Sequence, residues 1–352
     1  MKAFLNAYFG LIRKFLPKEK HGTSVGIDIG ISECKLVEVK KTGDGYELVN
    51  WRIEPIQDGN VKASIEKILS GLSEPPENVY TAISGKGTLI RYIEMPKMSL
   101  DDLKGAFSIE ADKYFPFPQD QIYTDCYILD AQGKDKKMPV MAAAAKKELI
   151  DDRVKLLTDL ELKIGFIGLN PVALTNVVNV LGFGDVENSG VAPAAILDMG
   201  EFVSSLTIIN NKVPRFSRDI YIGGRDLTKR ISNALGVDFK EAERLKRDPG
   251  EKLDEVTSAC DAVLANIVQE MALSLDYFTT EGNDEVATVY LTGGASMFKG
   301  VRKGLEANLN IKVQRWDPLK PVHIPENQQS EELQKNSFKL GVALGLSLYQ
   351  DD

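Results

Sequence analysis

The sequence predicts an α/β protein of two similar lobes, with a small α+β subdomain inserted in the first. An apolar strand that ends in Asp-x-Gly and continues into a strand hairpin occurs at residues 25–30 and again at 194–200. Two such openings about 170 residues apart rarely arise by chance, so the second lobe is interpreted as a repeat of the first. Between them, residues 86–147 change to a strand-helix-strand-strand order that is typical of a separate α+β unit.

Composition excludes several classes of function. The chain has 352 residues, enough for two domains or one large two-lobed one. Its net charge of −8 argues against nonspecific nucleic-acid binding as its main role, and we expect no nucleic-acid partner. Three distant cysteines fit a reducing cytoplasm better than a disulfide framework, and two histidines are too few for an imidazole metal centre. No apolar run approaches the ~20 residues that span a bilayer.

An amphipathic helix is predicted at residues 2–16. Aromatic and aliphatic side chains fall on one half of it, basic and polar ones on the other, and Pro17 ends it. Two interpretations remain open: the helix docks on the body or on a partner protein, or it lies on an anionic membrane surface.

The first Asp-x-Gly turn is a candidate phosphate site. Asp28 ends an apolar strand, where its carboxylate could hold Mg²⁺, usually through water. Gly30 has no Cβ, so backbone N–H groups could approach a phosphate. Lys35 could add a positive charge. Taken alone, such a turn is more often only a turn.

The second copy supplies a matching set of residues. Asp198 and Gly200 repeat the first carboxylate and glycine, and the glycine pairs at 223–224 and 293–294 each open a helix. The missing side chains would let an α-phosphate and a ribose approach the main chain. A further helix carries a Glu and a Lys three residues apart, at 243 and 246, which either meet a nucleoside or form a solvated surface pair.

Aromatic residues cluster in the inserted unit. The segment 110–118 places Tyr114, Phe115 and Phe117 at a helix end. They either hold that subdomain together or line an exposed groove for a peptide.

These pieces follow the order of the actin-like (ribonuclease H-like) nucleotide-binding fold: first phosphate loop, connecting helix, second phosphate loop, adenosine loop and second connecting helix. Within that fold the sequence resembles the PilM family of type IV pilus assembly proteins and, more distantly, the division protein FtsA. The resemblance begins near residue 23, continues to the end of the chain, and is carried by residues 26–30, 35–38, 110–117, 218–220, 223–224 and 292–296.

The resemblance implies ATP and Mg²⁺ bound in the cleft between two lobes, with Asp28 and Asp198 as metal ligands. The nucleotide-binding residues it implies are Asp28, Gly30, Ile31, Ser32 and Lys35 in the first loop, Asp198, Gly200 and Ser204 in the second, Gly223, Gly224, Gly293, Gly294 and Ala295 behind the ribose and α-phosphate, and Glu243, Lys246 and Met297 at the nucleoside.

Two departures from the expected pattern favour ATP binding over rapid turnover. Ile31 stands where the family often has Ser or Thr, so one hydroxyl contact to a phosphate is missing. Glu201 and Phe202 stand where sugar kinases and DnaK-type chaperones keep small residues, and their bulk and charge would crowd the γ-phosphate. We therefore expect ATP hydrolysis to be weak or absent and assign no catalytic residue.

The resemblance also implies a role and partners. The protein is expected to be a cytoplasmic adaptor at the inner face of the inner membrane, binding the N-terminal cytoplasmic peptide of PilN in a groove between the first lobe and the insert. Contacts with pilus motor ATPases, a membrane contact through residues 2–16 and a homo-oligomer are further expectations. The alternatives are an FtsA-like membrane-tethered filament protein and a sugar-kinase-type phosphotransferase, for which we find neither a catalytic carboxylate nor a sugar pocket.

The expected domains are an N-terminal helix and linker (1–22), a first lobe (23–85 and 147–188), an inserted subdomain (86–146) and a second lobe (189–352) with a helical subdomain (225–282).

Overall fold

The structure, a computed structural model, describes residues 22–130, 136–184, 192–282 and 284–349. The predicted helix at 2–16 lies outside these residues. The strands are β1 (Thr23–Ile29), β2 (Glu33–Thr42), β3 (Gly45–Pro55), β4 (Val79–Ile83), β5 (Thr88–Pro96), β6 (Ile122–Ile128), β7 (Lys137–Lys146), β8 (Ile164–Leu169), β9 (Ala194–Met199), β10 (Ser204–Asn210), β11 (Val213–Ile220), β12 (Thr288–Thr292) and β13 (Lys312–Arg315). The α-helices are α1 (Val61–Leu69), α2 (Leu100–Glu110), α3 (Lys147–Thr158), α4 (Asn170–Leu181), α5 (Gly224–Leu235), α6 (Phe239–Arg247), α7 (Leu253–Thr280), α8 (Lys299–Leu309), α9 (Glu331–Asn336) and α10 (Gly341–Ser347).

Side-chain caps set where several helices begin. The Asn60 side chain accepts from Ala63 N at the start of α1, and Asp238 accepts from Glu241 N at the start of α6. Such caps satisfy backbone donors that the first turn leaves unpaired. Helix α4 uses another device, since Pro171 stands in its first turn and needs no hydrogen-bond partner for its nitrogen.

The two lobes have the same sheet topology. The first sheet has the strand order β3-β2-β1-β4-β8 and the second has the order β11-β10-β9-β12-β13. In each, three strands form an antiparallel meander. A fourth strand pairs in parallel with the first strand of the meander, and a fifth pairs in parallel with the fourth. The predicted duplication and the two-lobed α/β fold are confirmed.

The inserted unit forms a third, antiparallel sheet with the order β5-β7-β6, against which α2 packs. Leu103 and Phe107 from α2 and Val140 from β7 are buried in its core. The predicted strand-helix-strand-strand order is confirmed, although α2 ends at Glu110, and a 3₁₀ turn (Ala111–Lys113) replaces its predicted last turn. Strand β13 is an element that the sequence pattern did not predict.

A shared core joins the lobes beneath the cleft. Helix α10 packs on α4 and β1 so closely that a Cβ on Gly26 or on Gly345 would collide with backbone atoms of Ala343 or Ala173. Strands of both sheets contribute to the apolar cluster around these two helices. The C-terminal helix therefore anchors the strand that carries the first Asp-x-Gly turn. Within the described residues, no helix has the length and apolar character needed to cross a bilayer.

Candidate nucleotide site

The two Asp-x-Gly turns close in the same way. In the first, the Gly30 amide donates to the Glu33 carbonyl at 3.1 Å; in the second, the Gly200 amide donates to the Val203 carbonyl at 3.0 Å. A Cβ on either glycine would lie under 3 Å from that carbonyl oxygen. Each turn therefore needs glycine to bring its main chain close, and the repeat in sequence is also a repeat in geometry.

Lys35 neutralises the carboxylate of the first turn. Asp28 and Lys35 are direct cross-strand partners on β1 and β2, and Lys35 Nζ lies 2.9 Å from Asp28 Oδ2. Burial lowers the pKa of Lys35, but the charges of Asp28 and Glu33 outweigh it and leave the pKa raised. The lysine thus stays charged at neutral pH and can bind an anion beside this turn.

The carboxylate of the second turn is destabilised as an anion. Burial raises the pKa of Asp198 to about 6, repulsion by Asp28 and Asp219 adds to the rise, and attraction by Lys35 opposes it. The charges of Asp28, Lys35 and Asp198 thus act on one another. The Glu33–Lys339 ion pair and the bond from Gly293 N to Phe338 O also bring the two turns to one region between the lobes, here called the crevice. A bound cation would relieve the repulsion between the two carboxylates.

Gly293 backs the second carboxylate. Its φ of 82° and ψ of 161° belong to a region that is essentially restricted to glycine. A Cβ there would collide with Asp198 Oδ1 and would lie 2.6 Å from the Met199 carbonyl oxygen. The adenosine-loop glycine and the second phosphate turn are therefore in direct contact.

The other glycine pair joins the second turn to helix α5. Gly224 N donates to Gly200 O at 2.9 Å, and a Cβ on Gly223 would collide with the main chain of Glu201. A Cβ on Gly224 would lie 3.0 Å from Ala295 Cβ, which is itself buried. The predicted glycines at 200, 223–224 and 293 thus surround one small volume.

Glu243 and Lys246 form a half-buried cluster on α6 that packs against α5, which differs from a fully solvated surface pair. Lys246 Nζ lies 2.6 Å from Glu243 Oε2, donates to Thr228 Oγ1 at 2.9 Å and donates to Gly224 O at 3.1 Å. The Lys246 side chain is 11 % exposed. Because the pair contacts the glycine at the start of α5, it lies at the edge of the crevice where a nucleoside is expected.

Four predicted residues contribute differently from the turns. The side chain of Ile31 is 66 % exposed, and Ser32 is also exposed. Ser204 is buried and donates to the Ile222 carbonyl at 2.7 Å, so it orients the chain before the glycine pair instead of facing a ligand. Met297 is half-buried, and its carbonyl accepts from Arg315 at 3.2 Å.

The residues that were expected to crowd the γ-phosphate lie beside an arginine. The Arg225 guanidinium lies 5.1 Å from the Phe202 ring centroid and 5.0 Å from that of Phe239. Its Nη1 is 3.5 Å from Glu201 Oε1, whereas Glu201 Oε2 is buried without a partner among the described residues. Arg225 thus offsets part of the negative charge and holds the Phe202 ring.

Two charged contacts at the crevice were missed from the sequence. Lys339 Nζ binds both oxygens of Glu33, at 3.0 and 3.2 Å, and joins the first turn to the segment beside the adenosine loop. Asp219 accepts from Gly85 N at 3.1 Å and from Ser205 Oγ at 3.0 Å, which joins the two lobes. Glu33 and Lys339 are 306 positions apart, and no local pattern pairs them.

The residues present fit a magnesium-bound polyphosphate. No three His, Cys, Asp or Glu side chains of the described ranges converge on a metal position. Mg²⁺ commonly needs only one or two carboxylates beside phosphate oxygens and water, which Asp28 and Asp198 could supply. The glycines at 200, 223–224 and 293 leave the main chain beside Asp198 without side chains, which would let a phosphate approach its N–H groups.

Comparisons with known proteins agree with this architecture. A solved structure described as the PilM-PilN type IV pilus biogenesis complex contains a chain that is 26 % identical, with a TM-score of 0.82 over 93 % of this chain and 98 % of that chain. The ethanolamine utilization protein EutJ from Carboxydothermus hydrogenoformans shares the fold, with 15 % identity and a TM-score of 0.53 over 96 % of this chain and 94 % of that chain.

A curated relative matches over a shorter stretch. The cell division protein FtsA of Enterococcus faecalis is 26 % identical in an alignment of 197 positions that covers 47 % of this chain and 43 % of that protein. The chain thus matches less than half the length of this curated relative. The family described as type IV pilus assembly protein PilM matches residues 26–351, nearly the whole sequence. The chain therefore belongs to the PilM family of type IV pilus assembly proteins.

Proposed function

We propose that this protein is an ATP-binding cytoplasmic adaptor of the type IV pilus inner-membrane platform, and that it binds the N-terminal peptide of PilN. The observation that carries the proposal is the 0.82 TM-score against the PilM-PilN complex across 93 % of the chain, together with the family match. Under this proposal the protein works at the inner face of the inner membrane.

The nucleotide half of the proposal is supported by the crevice. Lys35 would attract phosphate oxygens, and Asp28 and Asp198 would hold Mg²⁺, whose charge would neutralise the polyphosphate. The glycines at 223–224 and 293 would let the α-phosphate and ribose reach the main chain. Glu243 and Lys246 would fix the nucleoside.

ATP affinity tests this half. We expect Mg·ATP to bind to wild type in titration calorimetry, and Asp198→Ala to weaken it by about a hundredfold, since a charge-assisted metal contact is lost. Asp226→Ala is a suitable control. The Asp226 carboxylate caps α5 by accepting from Gly223 N, and losing that cap lowers the free energy of unfolding by only about 1 kcal/mol. Undetectable binding to wild type would remove the nucleotide half and leave the adaptor half standing.

The peptide half is supported by the inserted subdomain. Strand β6 is an edge strand that pairs only with β7 among the described strands. Tyr127 on β6 is 61 % exposed, and Tyr123, four residues earlier on the same face, donates to Asp151 on α3 at 3.2 Å. An exposed edge with aromatic side chains beside the first lobe suits an extended peptide.

Peptide binding tests this half. We expect a labelled peptide from the PilN N-terminus to bind to wild type, and Tyr127→Ala to weaken it by about tenfold as loss of an aromatic contact. Tyr277→Ala is the matched control, because Tyr277 is 54 % exposed but lies on α7 of the second lobe. Equal affinities of both variants and wild type would place the peptide elsewhere.

The FtsA relative supports a second candidate, a filament that forms with ATP. Sedimentation with and without ATP separates the two. The adaptor predicts that the full chain stays in the supernatant in both conditions, whereas the filament protein would pellet with ATP.

A further inference from the structure

A positively charged cavity lies on the second lobe, outside the crevice. It is a shallow cavity of about 360 Å³, open to solvent, and is lined by Lys299, Arg302, Lys303, Gln314 and Arg315. Four of these five side chains are cationic, although the whole chain carries a net charge of −8. Such a concentration of charge creates a local field opposite to that of the protein as a whole.

Two neighbouring elements build the cavity. Helix α8 contributes Lys299, Arg302 and Lys303, which share one helix face because they stand three and four residues apart. Strand β13 contributes Gln314 and Arg315 and packs against α8. Like charges four apart on a helix repel each other, so this arrangement costs stability unless an anion offsets the repulsion.

The charges in the cavity are weakly neutralised. Arg302 lies 3.9 Å from Glu306, a marginal distance for an ion pair, and Arg315 donates to the Met297 carbonyl at 3.2 Å. Lys299 and Lys303 make no ion pair or hydrogen bond within the part of the chain that the structure describes. Two ammonium groups are therefore available to an incoming anion.

We propose that this cavity binds a phosphate-bearing ligand, either the headgroup of an anionic phospholipid or a soluble phosphorylated molecule. A guanidinium fork matches phosphate oxygens, and lysines add point charges without fixed geometry. A volume of about 360 Å³ is large enough for a phosphate-bearing headgroup.

The cavity can be separated from the crevice by the choice of residues. Arg315 contacts Met297, which is expected near the adenine, so a change at Arg315 would disturb both sites. Lys299 and Lys303 are exposed and make no such contact. The test variant is therefore Lys299→Gln/Lys303→Gln in the full chain. The matched control is Lys229→Gln/Arg230→Gln, which removes the same charge from exposed positions on α5.

Two probes distinguish the sources of phosphate. One is co-sedimentation with phosphatidylcholine vesicles that do or do not contain phosphatidylglycerol, and the other is calorimetric titration with inorganic pyrophosphate, in which any binding to the crevice is common to both variants. We expect the test variant to lose about 25-fold in affinity for one probe, since each basic residue near an anionic surface contributes about fivefold. The control variant should match wild type, and both variants retain residues 2–16, so any vesicle binding by that segment cancels.

Each outcome decides the proposal. If the test variant loses affinity for the vesicles, the ligand is a lipid headgroup. If it loses affinity for pyrophosphate, the ligand is a soluble phosphorylated molecule. If the test variant equals the control with both probes, the cavity binds no phosphate and the proposal is wrong. If the test variant instead loses ATP affinity with an unchanged melting temperature, the cavity is part of the nucleotide crevice, and the proposal is overturned in that way.

Discussion

The two Asp-x-Gly hairpins have the same backbone but opposite electrostatics. Asp28 faces Lys35 across β1 and β2, and in the same register Asp198 faces Ser205 across β9 and β10. The first carboxylate has a cation at 2.9 Å, whereas burial and a neighbouring carboxylate raise the pKa of the second to about 6. The duplicated strands thus place the two carboxylates at matching positions. The residue opposite each carboxylate differs, because Lys35 is a cation and Ser205 is neutral.

A second difference lies on the neighbouring parallel strand. Gly293 follows β12 beside Asp198, and the corresponding register position in the first lobe is Ile83, which is buried at the end of β4. The second lobe therefore has no side chain at the position where the first lobe has a buried isoleucine, and Asp198 and Met199 pack directly against the main chain there.

The largest expected effect comes from adding a Cβ at Gly293, where the surrounding atoms leave no room for one. Gly293→Ala should lower the free energy of unfolding by about 4 kcal/mol, because alanine is strained at this φ and ψ and its Cβ would collide with Asp198 Oδ1. Urea denaturation measures the loss. Gly294→Ala is the control, since its Cβ would meet only Lys339 Cε at 3.8 Å. Similar urea midpoints for the two variants would show that position 293 has room for a Cβ.

Next in size is the removal of Lys35, the cation that pairs with the first carboxylate. Lys35→Met should cost about 3 kcal/mol of stability, because it leaves the buried Asp28 without its partner. Lys35→Arg keeps the charge and should cost less. Ser205→Ala at the matching position should cost only about 1 kcal/mol, for one hydrogen bond to Asp219. Equal losses at 35 and 205 would contradict the electrostatic contrast.

The sequence could predict the fold and the two turns because both depend on local patterns. A buried strand, an Asp-x-Gly and a following strand are read within ten residues, and their repetition identified Asp198 once Asp28 was a candidate. Helix spacing likewise placed Glu243 and Lys246 on one face.

Other features of the site depend on tertiary structure and left no local signal. Strand β10 is buried on both faces, so alternation could not tell that Ser204 faces inward and Ser205 faces Asp219. The pairing of Glu33 with Lys339 requires the C-terminal segment to return to the first lobe. Glu243 and Lys246 on α6 are half-buried because α6 packs against α5, and periodicity alone does not reveal that packing.

A smaller effect should appear in the pH dependence of stability. The pKa of Asp198 rises from 3.8 to about 6 on folding, so the folded state binds the extra proton, and stability falls as pH rises through this window. Asp198→Asn removes the penalty and should stabilise the nucleotide-free protein by at most about 3 kcal/mol at pH 7 and by little near pH 4. Urea titrations across this range measure the difference.

Its counterpart in the first lobe is Asp28→Asn, which should destabilise at pH 7 because Lys35 loses its ion pair. The opposite signs of the two variants are the sharpest test of the contrast between the hairpins. A gain from Asp198→Asn that is constant between pH 4 and 7 would mean that the carboxylate does not titrate there.

The smallest effect concerns the pair that joins the first turn to the adenosine loop. Glu33 and Lys339 are 23 % and 13 % exposed, and the matching position in the second turn is Val203, which cannot form such a pair. A double-mutant cycle of Glu33→Gln with Lys339→Met should give a coupling of about 1 kcal/mol that declines with added salt. The cycle of Val203→Ala with Lys339→Met should be additive. Coupling of equal size in both cycles would show that Lys339 acts through packing, because only the first turn carries a charge for it to bind.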